Sequence, residues 1–425
     1  MKYTSIKIFA FIFILLIASC QTKKQYTSKP SKSVVNPDSD LIEVNATAYH
    51  ANDSMSIAFI EVVNENLVYK RPDTTTAFYA EVKVSFKLLT DANSRKLIDS
   101  SSFYMSDRAL EKVDLKSLRT MFTIKAQRGY NYFLEIQVYD LNKKVVYTRG
   151  LNIYKKNNFT EQNFLVNVNN QVPFNNRFVE FDQVKVELNN KAVKQVTVDC
   201  FFKEFATAAP PFSLKATDEL KYKPDSVFEL KLVNNEFSLT LPSEGFYHIR
   251  TDISSNEGLT LYSFNKTFPG VSNSDEMINC TRYLMNKNEF DECKNSSNQK
   301  EAIDKFWVSI GGSNERAKEL LKRYYGRVKE ANKYYSSYTQ GWKTDRGMMF
   351  IVFGQPSYIY RNLKGEIWVY GLESNPNTVR YTFVKTKNPF SDNDYILERS
   401  QFYKDSWYSA VEVWRQGHVY LNHDK

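Results

Sequence analysis

Along residues 80–87 apolar and polar side chains alternate without a break: Ala80, Val82, Val84 and Phe86 share one face, and Glu81, Lys83, Ser85 and Lys87 share the other. A period of two marks a half-buried antiparallel strand and excludes a helix, whose apolar face recurs every three or four residues. Tyr132, Leu134, Ile136 and Val138 repeat the pattern, and the turn-forming clusters Arg71-Pro72-Asp73 and Asp91-Ala92-Asn93 separate the runs. Residues 41–155 are therefore expected to form a β-sandwich of about seven strands. Residues 156–270 carry a second set, including Val184–Leu188, Phe228–Leu232 and Phe246–Arg250, expected to form a second antiparallel, Ig-like sandwich. The Ala209-Pro210-Pro211 step in its middle reads as a loop or crossover, because proline cannot donate to a central ladder. Aromatic residues make up 15% of the chain against only 14 glycines in 425 residues, which favours strands over a glycine-rich nucleotide-binding architecture.

The N-terminus reads as an address. Lys2 and Lys7 precede an apolar run from Ile8 to Ile17, too short for a transmembrane helix, which ends in Ile17-Ala18-Ser19-Cys20. Small residues before a cysteine resemble the lipobox of bacterial lipoproteins. That resemblance implies a signal peptide over residues 1–19, cleavage before Cys20 and acylation of its sulfur, which would hold the chain at a membrane. Residues 20–40, polar and carrying Pro30 and Pro37, read as the acylated cysteine and a flexible tether. Gln21-Thr22 lacks an inner-membrane retention aspartate, so an outer-membrane location is expected, with the periplasmic or cell-surface face undecided.

With Cys20 acylated, Cys200, Cys280 and Cys293 remain. Residues 274–298 read as two short helices about a turn at Asn286-Lys287-Asn288, with Cys280 and Cys293 nearly equidistant from it, so a disulfide between them is expected in an oxidising compartment. Cys200 shares a strand face with Val196 and Val198 and reads as a small buried hydrophobe.

Nothing in the strand regions has catalytic spacing. The histidines are His50, His248, His418 and His423, and the last two, close together near the end, lack a partner motif for a metal. No nucleophile elbow, His-Glu-x-x-His or Walker loop occurs, and no cofactor, metal or nucleic acid is expected.

After Gly270 the pattern changes to helices. Ala302, Ile303, Phe306 and Trp307 form an apolar stripe ended by Gly311-Gly312; Ser313 caps a longer helix striped by Ala317, Leu320, Leu321, Tyr324, Val328, Ala331 and Tyr335. Then come Gly341-Trp342-Lys343-Thr344-Asp345-Arg346-Gly347, the apolar run Met348 to Phe353, read as a buried strand, and Gly354-Gln355-Pro356. This stretch resembles the GWxTD domain, whose naming motif stands here as Gly341, Trp342, Thr344 and Asp345. Phe306-Trp307, Tyr324 to Asn332, Glu366 to Tyr370 and Val413-Trp414-Arg415-x-Gly417 extend the resemblance over residues 271–425, an α+β domain. The family carries no established catalytic residues.

Physics gives the motif structural roles: Gly341 in a left-handed position, Trp342 buried against helix and strand, Thr344 and Asp345 bonding amides of the turn into Met348, and Arg346 pairing with Glu366. A ligand or partner site formed by Trp342, Asp345 and Arg346 is the alternative. The whole chain is expected to be a multidomain, mainly β, non-enzymatic lipoprotein. Its expected role is an accessory subunit of an outer-membrane complex for β-barrel assembly, secretion or gliding. Its partners would be a β-barrel protein or other envelope lipoproteins. A glycan or peptide binder is the second reading, and a hydrolase with an unrecognised site the third.

Overall fold

A computed structural model describes residues 31–34 and 43–421, apart from 64–66, 72, 74–75, 92–94, 110–116, 215–222, 363, 373 and 376–377. Cys20 and His423, with most of residues 1–40, lie outside the described residues.

After β1 (Ser31–Val34), strands β2 (Val44–Tyr49), β3 (Ser56–Val62), β4 (Phe78–Leu89), β5 (Leu97–Ala109), β6 (Leu118–Ile124), β7 (Asn131–Asp140) and β8 (Val145–Tyr154) form two antiparallel sheets, ordered β2-β3-β6 and β5-β4-β7-β8. The alternation sets which face is inside: Val82, Val84, Phe86, Leu134, Ile136 and Val138 are buried between the sheets, with Val84 opposite both Phe103 and Val138.

A second pair of sheets follows, built from β9 (Phe164–Asn167), β10 (Arg177–Val179), β11 (Gln183–Leu188), β12 (Gln195–Phe201), β13 (Ser226–Lys231), β14 (Glu236–Thr240), β15 (Gly245–Arg250) and β16 (Leu259–Phe264). Their orders are β14-β11-β9 and β10-β16-β15-β12-β13, with β10 parallel to β16 and the other pairs antiparallel. Cys200 lies in the core between them with Val196 and Val198, and burial pushes its thiol up to about 11.

The remainder is α+β. Helices α1 (Ser274–Thr281), α2 (Lys287–Asn295), α3 (Gln299–Gly311) and α4 (Asn314–Tyr335) begin at Asn273, Asn286, Asn298 and Ser313, each of which caps its helix by accepting a backbone N–H. Gly312, in a left-handed conformation, ends α3. Helix α5 (Asp345–Phe353) leads into β17 (Tyr358–Asn362), β18 (Gly365–Tyr370), β19 (Val379–Lys385) and β20 (Tyr395–Leu397), and α6 (Lys404–Arg415) closes the domain. All five tryptophans of the chain are buried in its core.

Three expectations give way here. The run Met348–Phe353 is helix, not strand: Thr344 caps it by accepting the Gly347 N–H, and every residue from Asp345 to Phe353 is buried. A helix buried on all sides shows no periodicity, which is why the sequence reads as a strand. Ser31–Val34, read as flexible tether, is strand β1, paired antiparallel to β17 at the edge of the sheet β1-β17-β18-β19-β20. The four residues contain no proline, and β17 offers them an open ladder.

Third, Cys280 and Cys293 are free thiols. The turn ends at Asn286, the N-cap of α2, so Cys280 sits in the last turn of α1, whereas Cys293 lies two turns into α2. The two positions are thus not equivalent in their helices, one lying at a helix end and the other well inside the next. Burial raises both thiol pKa values.

Candidate functional site

The candidate site is the turn between α4 and α5. A residue on Gly341 would place its Cβ 1.9 Å from the Ala331 carbonyl oxygen, so this turn packs directly on the α4 backbone. Gly341 is required for that approach and does not take the expected left-handed conformation; positive φ occurs instead at glycines such as Gly312 and Gly354. Gly347 repeats the device one turn on, with its Cβ position 1.8 Å from the Gly341 carbonyl oxygen.

Two polar side chains, Asn332 in the last turn of α4 and Ser336 at its C-cap, hold the turn. Buried Asn332 accepts the Trp342 N–H at 3.1 Å and donates to the Pro269 carbonyl at 3.0 Å. Ser336 accepts the Gly341 N–H at 2.8 Å and donates to the Asn332 carbonyl. The Trp342 ring is buried, its Nε1–H donates to Gln340 Oε1 at 2.6 Å, and its carbonyl accepts the Tyr283 hydroxyl at 2.7 Å. Thr344 takes its expected capping role.

Asp345 does more than the expected turn bonding. Its Oδ2 accepts the Leu397 N–H on β20 at 2.8 Å and Arg399 Nη1 at 3.1 Å, while Oδ1 accepts Arg399 Nη2. Burial pushes the Asp345 carboxyl above its ordinary value, and Arg399 with the Leu397 amide pulls the other way.

Arg346 reaches Glu366 at 3.5 Å, as expected, and donates to the Asn393 carbonyl at 3.0 Å. Its guanidinium also lies 3.8 Å from the centroid of the Tyr395 ring. Burial opposes the charged form of Glu366, but Arg346, Arg361 and the Trp368 indole hold its carboxyl below the usual range.

The turn also binds the second sandwich. Residues 202–214, which contain the Ala209-Pro210-Pro211 step, run across the C-terminal domain: Ala208 N–H donates to the Lys343 carbonyl at 2.8 Å, and Arg399 Nη2 donates to the Ala209 carbonyl at 3.2 Å. Beside it, Phe201 and Phe246 stack at 4.5 Å with Phe390 against both, and the Tyr262 hydroxyl donates to the Phe390 carbonyl. Gly341, Trp342, Thr344, Asp345, Arg346 and Gly347 thus come together in one joint, while Cys280 and Cys293 belong to the helical core beside it.

Chemically, the arrangement locks. Trp342, Asp345 and Arg346 are 4%, 7% and 5% exposed, so the motif presents no acid or base to a substrate. Sequence reasoning missed Asn332, Arg399, Tyr283 and Asn393. Asn332 had a signal, a polar residue beside the apolar stripe of α4; Arg399 had none. Among the described residues no group of three His, Cys, Asp or Glu side chains could hold a metal ion.

No curated protein matches the chain in sequence. Among solved structures, a Bacteroides uniformis beta-glucuronidase aligns at 12% identity over 29% of this chain and 14% of its own, with a TM-score of 0.17, too low to carry a likeness of fold. Residues 245–416 match the family model of the GWxTD domain. The match begins earlier than residue 271 and takes in β15 and β16, the strands that bring Phe246 and Tyr262 to the joint. The C-terminal part of this chain, with its last two sandwich strands, is the part that matches the GWxTD domain.

Proposed function

We propose that this protein is a non-catalytic outer-membrane lipoprotein, anchored through Cys20, that serves as an accessory or scaffold subunit of an outer-membrane protein complex for β-barrel assembly, secretion or gliding. The observation that carries the reading is the burial of the motif. Its tryptophan, aspartate and arginine are committed to a joint between the second sandwich and the C-terminal domain, which suits a part that holds surfaces in a fixed relation. Among the described residues no helix is long and apolar enough to cross a membrane; in this reading an acylated Cys20 supplies the attachment.

Purification of the natively lipidated protein in mild detergent, against a Cys20→Ala control, tests this. Stoichiometric recovery with one β-barrel complex, lost in the control, is the expected result; recovery of the protein alone would overturn it. The glycan- or peptide-binding alternative draws on the cleft of the first sandwich. Stacking on a sugar needs an open ring face, and there Phe86 and Phe122 stack on each other at 4.4 Å, which favours a peptide over a glycan.

A further inference from the structure

Strand β1 is the first described element after Cys20, yet it joins the last domain of the chain. Ser31, Lys32, Ser33 and Val34 stand opposite Arg361, Tyr360, Ile359 and Tyr358 of β17. Because β17 pairs with β18 on its other side, β1 fills the ladder that would otherwise be an open edge of the sheet. In chain order the first sandwich comes next after the N-terminal segment, but this pairing brings the C-terminal sheet to that segment instead.

Chain length sets how close. Eleven peptide links join Cys20 to Ser31. At about 3.5 Å each they span at most roughly 40 Å however they run, which is about one domain diameter. Without β1, twenty-four links would join Cys20 to Val44, the first residue of β2, with a reach of about 80 Å.

The antiparallel register also sets which end of the sheet is near. Ser31, the β1 residue closest to Cys20, lies beside Arg361, where the turn from β17 to β18 carries Lys364. Strand β19 ends here too, and the Lys385 N–H donates to the Lys364 carbonyl at 2.8 Å. Glu366 and Asp392 are paired with Arg361 and Lys385, and Lys364 and Lys387 stand exposed beside them. Residues 20–30 carry Lys23, Lys24 and Lys29 and no acidic residue. Basic residues beside an anchor suit the phosphates of lipid headgroups.

We propose that β1 straps the acylated N-terminus to the edge of the C-terminal sheet. The end of that sheet at Arg361 and Lys364 then lies on lipid headgroups, and the last domain of the chain is the one next to the membrane. The inference rests on the lipoprotein reading and adds to it the face that meets the lipid.

The test uses the full lipidated chain, carrying a fluorophore at Lys364→Cys, in vesicles of phosphatidylethanolamine and phosphatidylglycerol with nitroxide-labelled headgroups. Strong quenching is expected. Inserting about thirty Gly and Ser residues after Thr27 roughly doubles the mean reach of the tether and is expected to lower the quenching at least threefold. Of two adjacent residues in an antiparallel strand, one donates to its neighbour, so Lys32→Pro with Ser33→Pro removes a β1 donor whichever it is. This variant keeps the tether length and is also expected to lower the quenching at least threefold. Weak quenching before either change, or quenching that the proline variant leaves unaltered, would overturn the proposal. A chain that stays on the vesicles with Lys364→Cys unquenched removes the strap and leaves the lipoprotein reading standing; a chain that does not stay on them removes both.

Discussion

The carboxylate of Asp345 and the guanidinium of Arg399 form an ion pair in which both side chains are less than one tenth exposed, and Arg399 extends from it to the Ala209 carbonyl on the neighbouring sandwich. Removing one member of such a pair strands the other charge in a dry site, at a cost of about 3–5 kcal/mol, whereas removing both together costs far less. Asp345→Asn and Arg399→Gln are each expected to lower the unfolding midpoint strongly, and the double variant by clearly less than their sum. Denaturant melts of the four proteins measure this coupling, and additive effects would show that the pair is not a unit.

Gly341 and Gly326 make an internal control. A methyl group on Gly341 would collide with the Ala331 carbonyl, whereas one on Gly326, exposed within α4, meets nothing within 4 Å. Gly341→Ala is therefore expected to destabilise the domain, and Gly326→Ala to stabilise it by about 0.5–1 kcal/mol through helix propensity. Thermal melts of both variants check the sign; a harmless Gly341→Ala would mean that the turn stands off the helix.

What the sequence disclosed follows from which physical signals are local. Alternation showed the faces of β4 and β7, because residues two apart report directly on one sheet face. The caps at Ser313 and the stripe of α4 were legible for the same reason. Helix α5 was not, since burial on all sides erases its period, and its nature lay in the Thr344 cap and Gly354 stop. The Arg346–Glu366 pair was within reach because strand β18 could be placed. Arg399 was not, because its partnership with Asp345 spans 54 residues and depends on tertiary packing alone.

The three described cysteines, Cys200, Cys280 and Cys293, are buried and unpaired, and burial raises each thiol above its ordinary value. A low thiolate fraction and poor access both slow reaction. A thiol reagent at neutral pH is expected to modify none of them rapidly in the folded protein and all of them in denaturant, and reducing agent is expected to leave the melting temperature unchanged. Only one reactive thiol among the three after unfolding without reductant would restore the Cys280–Cys293 disulfide.

His50 and His248 are buried as neutral imidazoles, and each contributes less as the pH falls. The Tyr154 and Asn256 carbonyls can only accept, so each imidazole donates from Nε2, and its Nδ1 then accepts from Ser56 or Thr260. Both side chains are buried, and burial lowers both pKa values to about 4; Lys155, which donates to Ser56 at 3.0 Å, disfavours a charged His50 further. A histidine whose folded pKa lies below its unfolded value of about 6.5 contributes fully above that value, and the contribution is lost as pH falls toward 4. Each is expected to withdraw about 3 kcal/mol across that window. The carboxylate of Glu366, held below its ordinary value, loses its own contribution only at lower pH. Asp394, whose carboxyl burial pushes up to about 6, changes stability in the opposite sense over the same range, so the histidine contribution is read as a difference between two proteins. Between pH 6.5 and 4.5 the unmodified protein is expected to lose more stability than the double variant His50→Gln, His248→Gln, and an identical pH dependence of melting in the two would show that these imidazoles are not buried as neutral groups.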